Sequence, residues 1–292
     1  MYAITAATGH FGRHVIDELI AQGVPPADIR AVVRTPANAA DLAERGVQVR
    51  KADYNEPQAL AAALEEVEDL LLISGTDFGN RITQHTNVIE AAAASGVRHI
   101  AYTSVLRADS SSNPVAAEHL GTEEVLRTSG IPHTLLRNSW YAEVYLDQLS
   151  QFFETGTILG AAGQGRISMA ARRDYAEAAA AALSARPTEP VTVYELGGDP
   201  RTLAELAETI SDVTGTAVRY SDLSATVYAA ALNAGGLPSE VVALSVAIDE
   251  SIARGDLATD SRELERLLGR PITPLRELVT DALDRLGITM PR

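Results

Sequence analysis

The first twelve residues place groups that can bind phosphate directly after a short apolar segment. The chain begins M-Y-A-I-T-A-A-T-G-H-F-G, and apolar residues then recur at three- and four-residue intervals, as they do in a helix. Peptide N–H groups at the start of a helix have no partner within it, and the helix dipole favours an anion there. Because glycine permits a tight turn and a close approach of the backbone, the loop predicts a site for a pyrophosphate.

The loop departs at one position from the pattern G-x-x-G-x-x-G. The first glycine of that pattern is replaced by Ala6, whose methyl group is accommodated if its φ angle is negative, so we expect a mild change. Thr8 and Gly9 form the turn, and the Thr8 hydroxyl contacts the ligand or caps the helix. Gly12 allows the helix to pack near the preceding strand.

Arg34 follows a second β-branched segment, A-V-V-R-T-P, with no acidic residue beside it. An acidic side chain at this point accepts hydrogen bonds from a ribose 2′-hydroxyl, whereas a guanidinium pairs with a 2′-phosphate. The residue therefore favours NADPH as cofactor, with NADH tolerated. The alternative is a solvated arginine at the end of a strand.

Two further segments end in polar residues that could contact a dinucleotide. Asp53 and Tyr54, in K-A-D-Y, are placed to reach an adenine amino group and to shield its ring, or are simply loop residues. Ser74, Gly75 and Thr76 are small and polar, as a loop crossing the middle of the cofactor should be.

Short β-branched segments alternate with helical ones through the first half of the chain. This alternation predicts right-handed crossovers and a parallel sheet with helices on both faces, an α/β doubly wound, Rossmann-like fold. The predicted strands are Tyr2–Ala6, Ile29–Val33, Val47–Lys51, Leu70–Ser74, His99–Thr103 and His133–Leu136. The predicted helices are His10–Gln22, Ala37–Arg45, Pro57–Glu65, Asn80–Ser95 and Val115–Ser129.

The regular alternation of predicted strands and helices ends after Trp140, where short strands mix with helices. We predict an NADP-binding core of residues 1–140 and a smaller α+β substrate lobe of residues 141–292, with segments that return to the core. The predicted strands of this half are Thr157–Leu159, Val191–Glu195 and Val218–Tyr220. Its predicted helices are Tyr175–Ser184, Leu203–Thr214, Ala225–Ala234, Glu240–Arg254 and Leu275–Leu286.

Composition argues against several classes of protein. The formal net charge is −15, which repels nucleic acids and anionic membranes. The chain contains no cysteine, which fits a cytoplasmic protein, and no apolar run reaches the roughly 20 residues of a membrane helix. The histidines, among them His85 and His99, lack metal-ligand spacing, so we expect no metal site. We leave open whether two copies associate as a homodimer.

The sequence also excludes one catalytic device. Many dehydrogenases and epimerases of this fold use the motif Y-x-x-x-K, in which a lysine lowers the tyrosine pKa. Lys51 is the single lysine of the chain, and Val47 stands four residues before it. Reversible alcohol oxidation by that route is therefore excluded. The missing motif does not exclude hydride transfer to an acceptor that needs little acid assistance, such as a quinone.

The motifs together resemble those of the NmrA-like atypical short-chain dehydrogenases, and among these most of all the type 2 NAD(P)H:quinone oxidoreductases. The resemblance runs nearly end to end. It rests on T-A-A-T-G-H-F-G, A-V-V-R-T-P, K-A-D-Y, L-L-L-I-S, H-I-A-Y-T-S, A-E-H, T-L-L-R-N-S-W-Y-A-E, G-A-A-G-Q-G, R-D-Y-A and Y-E-L-G-G-D. It implies an NADPH-binding core, a smaller C-terminal lobe, and a cleft for a quinone or a similar planar acceptor.

The resemblance also implies roles for particular residues. Arg34 would hold the 2′-phosphate, and Ser74, Gly75 and Thr76 would line the centre of the cofactor. Three residues depart from the family pattern: Ala6 and Ser139 would affect the fit of the cofactor, and Glu124 would alter the acceptor or the charge of the cleft. The pyrophosphate would be wrapped by Ala6, Ala7, Thr8, Gly9, His10 and Phe11, and the nicotinamide approached by Asn138, Ser139, Trp140, Tyr141, Ala142 and Glu143.

A few residues remain as candidates with competing interpretations. Trp140 or Tyr141 could stack on a flat acceptor, or could seal the junction between the lobes. Tyr141 and His119 are the candidate proton donors, with an exposed helical histidine as the alternative for His119. Asp174 precedes a helical segment, so we expect it to cap that helix rather than to take part in catalysis.

The hypothesis from these observations is an NADPH-dependent reductase that acts on a quinone or a related enone. Two alternatives stay open: a non-catalytic NADP(H)-sensing regulator, because the sequence lacks a recognisable acid–base set, and a biosynthetic reductase or lyase with a specialised substrate.

Overall fold

Seven strands pair in parallel to form the central sheet within residues 1–187 and 189–289, the part of the chain that the computed structural model describes. The strand order is β3-β2-β1-β4-β5-β6-β8, and two further strands, β7 and β9, pair in parallel as a separate small sheet. The bounds are β1 (Tyr2–Ile4), β2 (Ile29–Val33), β3 (Gln48–Lys51), β4 (Asp69–Leu72), β5 (His99–Val105), β6 (His133–Asn138), β7 (Thr157–Gly160), β8 (Val191–Leu196) and β9 (Arg219–Asp222).

Helices cover both faces of the central sheet. On one face lie α1 (His10–Ala21), α2 (Ala40–Glu44), α8 (Arg172–Ala185) and α12 (Glu263–Leu268); on the other lie α3 (Pro57–Ala63), α4 (Arg81–Ala94) and α5 (Ala116–Ser129). This arrangement confirms the predicted doubly wound α/β fold.

The sequence of β4 shows why the sheet is buried on both sides. Leu71 packs into the apolar core beneath α1 and α8, whereas Leu70 and Leu72 pack into the core beneath α3, α4 and α5. Successive side chains of a strand point to opposite faces, so a strand between two helical layers must be apolar at every position. The three consecutive leucines of β4 are fully buried for this reason, and Asp69, buried at the start of the strand, is paired with the Arg186 guanidinium.

A third apolar core holds the elements of the C-terminal half together. Helix α9 begins with a capping box, in which Thr202 and Glu205 each bind the backbone N–H of the other. The elements of this half are α6 (Glu143–Leu146), α7 (Leu149–Thr155), α9 (Leu203–Thr214), α10 (Ala225–Ala234), α11 (Ser239–Ala253) and α13 (Leu275–Leu286), together with β7 and β9. In the described part of the chain, no helix combines the length and apolar character needed to cross a membrane.

The second half also contributes to the central sheet. Strand β8 pairs with β6 along its whole length, from His133 opposite Val191 to Asn138 opposite Leu196, and α8 packs on α1. The division into lobes at residue 140 stays a prediction. The short helices α6, α7 and α12, which have four to seven residues each, are not among the predicted elements.

Asp174 does not cap α8, contrary to the expectation from the sequence. The helix begins two residues earlier, after Ala171, and Asp174 lies fully buried inside its first turn. Its carboxylate accepts hydrogen bonds from the backbone N–H of Thr273 at 2.8 Å, from the Thr273 hydroxyl at 2.9 Å and from the Arg270 guanidinium at 2.9 Å. The carboxylate therefore ties the segment before α13 to the helix that covers the sheet.

Replacing Asp174 by alanine should lower the free energy of unfolding by about 3 kcal/mol, because it leaves the buried N–H and hydroxyl of Thr273 without their acceptor and removes one of the two carboxylates paired with Arg270. Urea unfolding of the purified protein measures this change. Glu177→Ala is the matched control, since Glu177 binds the same Arg270 from a more exposed position and should cost less than about 1 kcal/mol. Equal losses in the two variants would contradict the anchoring role of Asp174.

Candidate functional site

A pocket of about 470 Å³ opens at the carboxyl ends of strands β1 to β4. It lies where the strand order reverses, because the chain leaves β1 toward β2 on one side and later returns to β4 on the other. Open α/β sheets bind their ligands at this crevice. The lining residues are Ala6, Thr8, Gly9, Val32, Val33, Arg34, Thr35, Asn38, Ala52, Asp53, Tyr54, Asn55, Ser74, Gly75, Thr76, Asp77 and Gln84.

The first loop forms a tight turn between β1 and α1. The N–H of Gly9 donates to the carbonyl oxygen of Ala6 at 3.0 Å, and α1 begins at His10 with Gly9 as its N-cap. No side chain caps this helix, so Thr8 does not cap it and its terminal N–H groups are left for a ligand. A Cβ atom on Gly12 would lie 2.7 Å from the Ala7 Cα, which requires a glycine there.

The backbone of Ala6 has a φ angle of +47°, so the expected negative value is wrong. This angle belongs to the left-handed region, which glycine adopts freely and alanine only at a cost of about 1 kcal/mol. Ala6 also closes the loop, because its carbonyl oxygen accepts the hydrogen bond from the Gly9 N–H. The departure from glycine at this position is therefore a source of strain as well as of one extra methyl group.

Arg34 lies exposed at the end of β2 and lines the pocket with Thr35 and Asn38. At the end of β3, one carboxylate oxygen of Asp53 accepts hydrogen bonds from the backbone N–H and the side-chain amide of Asn55, both at 2.8 Å. These bonds fix Asp53 within the pocket wall. The positive charge of Arg34 and the negative charge of Asp53 thus stand in the same pocket.

Tyr54 anchors its hydroxyl in the sheet while it lines the pocket. The hydroxyl lies 2.6 Å from the Thr5 Oγ1 and 2.8 Å from the carbonyl oxygen of Ile73. Burial raises the pKa of this tyrosine, so the phenol stays neutral. Tyr54 therefore presents an uncharged ring to the pocket.

Peptide N–H groups at the end of β4 are bound by side chains from its two neighbouring strands. The N–H of Ile73 donates to the hydroxyl of Thr5 at 2.9 Å, and that of Ser74 donates to the hydroxyl of Thr103 at 2.8 Å. Both threonines are buried. They satisfy donors that the sheet leaves unpaired where β4 ends, and they hold the pocket floor in place.

The segment that follows β6 does not line the pocket, but it contacts the first turn of α1. The rings of Phe11 and Tyr141 lie 6.1 Å apart between centroids, and the Arg172 guanidinium lies 5.2 Å from the Tyr141 ring centroid. Burial raises the pKa of Tyr141 to about 12, so its phenol is protonated at neutral pH. Of the predicted cofactor residues, Ala7, His10, Phe11, Gly12, Asn138, Ser139, Trp140 and Tyr141 are not part of the pocket lining.

Ser139 and Trp140 connect this segment to the C-terminal half. The Ser139 hydroxyl donates to the carbonyl oxygen of Leu257 at 2.8 Å, which gives a structural reason for serine at this position. The half-buried Trp140 packs on the apolar core of that half, which supports its interpretation as a seal between lobes. Among the described residues, the indole N–H of Trp140 and the Oδ1 of the buried Asn138 have no hydrogen-bond partner.

His119 is buried, so the alternative of an exposed helical histidine is wrong. Its Nδ1 lies 2.7 Å from the hydroxyl of Tyr102, on the face of the sheet covered by α4 and α5. Burial lowers the pKa of His119 well below its ordinary value, which keeps the ring neutral. It does not line the pocket, and neither does Glu124, which pairs with Arg127 on the surface of α5.

Several pocket residues escaped the sequence-based prediction. Four of them lie within a few residues of a predicted pocket residue: Thr35, Asn38, Asn55 and Asp77. Gln84 is the fifth, and it reaches the pocket from α4. Its amide donates to the Asp77 carboxylate at 2.8 Å. In the part of the chain that is described, no three His, Asp or Glu side chains form a metal-binding group.

Comparison with known proteins shows which family the chain resembles. The model of the NmrA-like family matches residues 2–259. Quinone oxidoreductase 2 of Escherichia coli is 47% identical over 281 residues, which cover 96% of this chain and 98% of that protein. The crystal structure of an NADPH-dependent quinone oxidoreductase from Escherichia coli in complex with NADPH superimposes with a TM-score of 0.93 at 47% identity, covering 96% of this chain and 99% of that one.

A second solved structure has the same architecture at lower identity. Triphenylmethane reductase of Citrobacter sp., complexed with NADP(H), superimposes with a TM-score of 0.92 at 38% identity, covering 97% of this chain and 100% of that one.

Ala6→Gly should raise the free energy of unfolding by about 1 kcal/mol, because glycine adopts the positive φ angle of this position without strain. Chemical unfolding measures the difference. Ala7→Gly is the matched control: Ala7 is fully buried and does not have a positive φ angle, so glycine there should destabilise the protein. A loss of stability in Ala6→Gly would contradict this expectation. It would show that the methyl group of Ala6 stabilises the protein by more than the strained φ angle destabilises it.

Proposed function

The chain belongs to the NmrA-like family, and from this premise we propose that it is an NADPH-dependent reductase that transfers hydride to a quinone or a related planar enone. The observation that carries the proposal is the pocket at the reversal of strand order, with a cap-free helix start on one side and Arg34 on the other. The 47% identity to a quinone oxidoreductase over nearly the whole chain supports the same activity.

The residues present fit a dinucleotide. The N-terminus of α1 offers unpaired N–H groups to a pyrophosphate, and Gly9 and Gly12 leave no side chain in the way. The Arg34 guanidinium suits a 2′-phosphate, and the neutral ring of Tyr54 beside Asp53 suits an adenosine. We propose that the cofactor is held by Ala6, Ala7, Thr8, Gly9, His10, Phe11, Gly12, Arg34, Asp53, Tyr54, Ser74, Gly75, Thr76, Asn138, Ser139, Trp140 and Tyr141.

The nicotinamide supplies the hydride when it is bound, so the protein has to bind, orient and exclude water. The single lysine lies exposed at the end of β3, which agrees with the absence of a Tyr–Lys pair. The reaction therefore requires an acceptor that is reduced without strong acid assistance, and a quinone meets that requirement. Tyr141 is our candidate for a neutral hydrogen-bond donor, because its phenol is held protonated beside the first loop.

The partner in this proposal is a small planar molecule. Tyr141 and Trp140 are the aromatic residues closest in sequence to the end of β6, where an acceptor would meet the cofactor. The proposal includes a cytoplasmic location, which the cysteine-free composition suits, and it leaves the oligomeric state open.

Stopped-flow measurement of NADPH oxidation with benzoquinone, naphthoquinone and phenanthrenequinone tests the activity. We expect turnover with at least one quinone and loss of the absorbance of the reduced nicotinamide. Tight NADPH binding without turnover on any of them would instead identify a cofactor-sensing protein or a reductase for another substrate. Absence of NADPH binding would overturn the proposal altogether.

Arg34→Ala should weaken NADPH binding by roughly tenfold or more, because it removes a charge-assisted contact to the 2′-phosphate. The affinity for NADH, which lacks that phosphate, should change by less than about twofold under the same reasoning. Fluorescence titration with each cofactor gives both values. Arg50→Ala removes the same charge from an exposed position of β3 outside the pocket, and it should leave the NADPH-to-NADH ratio unchanged.

A further inference from the structure

The peptide of Gly75 is held from both sides on the pocket floor. Its N–H donates to the Nε2 of His85 at 3.0 Å, and its carbonyl oxygen accepts from the Nε of Arg81 at 2.8 Å. Both side chains come from α4, which lies behind the pocket, and neither lines it. Gly75 itself does. Two side chains that do not line the pocket therefore fix the orientation of a backbone unit that lines it.

The hydrogen bonds of His85 select one form of its ring. A backbone N–H can only donate, so Nε2 must carry the lone pair and Nδ1 the proton. Nδ1 lies 2.9 Å from the hydroxyl of Thr122, which in turn donates to the carbonyl oxygen of Glu118 at 3.0 Å. His85 is fully buried, and burial, with the nearby charge of Arg81, lowers its pKa to about 3. The ring therefore remains a neutral acceptor for Gly75 across the physiological range.

Arg81 connects the same peptide to α5. Its guanidinium forms an ion pair with the Glu118 carboxylate at 3.2 Å, and that carboxylate also accepts from the backbone N–H of Gly79 at 2.6 Å. The guanidinium also lies 4.9 Å from the ring centroid of Phe78. The loop from Gly75 to Gly79 is thus bound by His85, Arg81 and Gln84 of α4 and by Glu118 of α5.

We propose that His85 is a positioning residue for the cofactor: it aligns the Gly75 peptide, and through it the Ser74–Thr76 loop, against the centre of NADPH. The inference rests on the proposed function, because it names a residue that acts on the same site without touching the ligand. His85 fits this task because it is an uncharged acceptor whose ring is held on its other side by Thr122. The geometry is set on folding, so the ligand does not have to order the loop.

Two substitutions at His85 separate positioning from packing. Asparagine can still reach Thr122 from the Nδ1 position, but it is too short to accept from Gly75. Glutamine can place its carbonyl oxygen where Nε2 stands. We expect His85→Asn to raise the Kd for NADPH about tenfold, which corresponds to about 1.4 kcal/mol, and His85→Gln to stay within about threefold of the parent protein.

Steady-state kinetics with a quinone should show the same difference between the asparagine and glutamine variants. The KM for NADPH of His85→Asn should rise with its Kd, while kcat changes by less than about twofold, because the lost contact acts on bound cofactor and transition state alike. Thermal unfolding without ligand reports the packing cost of each variant separately. If asparagine and glutamine have the same effect on NADPH binding, whether large or absent, the positioning role is overturned.

A second pair of substitutions, at Thr122, tests the same inference if His85→Asn does not fold. Thr122→Val removes the hydroxyl that receives the Nδ1 proton, and Thr122→Ser keeps it. We expect valine to weaken NADPH binding by about threefold relative to serine, and equal affinities would overturn the inference. Failure of the parent protein to bind NADPH would overturn the proposed function as well. Tight binding by the parent with indistinguishable variants would overturn this inference alone.

Discussion

A buried strand that stops inside a protein leaves peptide N–H groups that no neighbouring strand can bind, and this constraint shapes the end of β4. Three consecutive donors, on Ile73, Ser74 and Gly75, lie between the core and the pocket. Each is bound by a side chain from a different element: Thr5 after β1, Thr103 on β5 and His85 on α4. An unpaired N–H in this position would cost about 1 to 3 kcal/mol, so these three acceptors determine where the pocket floor can lie. The other walls of the pocket, formed by the first loop and by Arg34, therefore adjoin a floor whose shape is already fixed.

The wall of the pocket formed by the first loop depends on close backbone contact between this loop and α1. Helix α1 approaches the loop after β1 so closely that only glycine fits at position 12, and Ala6 in the same loop has a positive φ angle. Farther along the sheet, the segment after β6 contacts α1 through Phe11 and Tyr141 and the C-terminal half through Ser139 and Leu257. This segment therefore joins the pocket to the part of the chain proposed to hold the acceptor.

The sequence predicted the inner strands of the sheet well because β2, β4, β5 and β6 are buried on both faces and consist largely of β-branched or aliphatic residues. It also placed Arg34, Asp53, Tyr54 and Ser74–Thr76 at the ends of these strands, where they line the pocket. It could not reveal the positive φ angle of Ala6, which is a property of the folded loop, or the partners of Asp174, which lie about a hundred residues away. His85 was considered only as a metal ligand, because nothing in its local sequence shows that α4 presents it to the amide of Gly75.

Anchoring of the Ser74–Thr76 loop has a consequence for the rate at which cofactor is exchanged. A reductase must release oxidised cofactor and take up reduced cofactor in every cycle, and a loop that first has to open and close adds a conformational step to both events. Here the floor of the pocket is tied to α4, β1 and β5 before any ligand arrives. For the proposed reductase, we expect the entry and departure of the cofactor to depend on the contacts that it breaks, above all those of its phosphates, more than on the ordering of this loop.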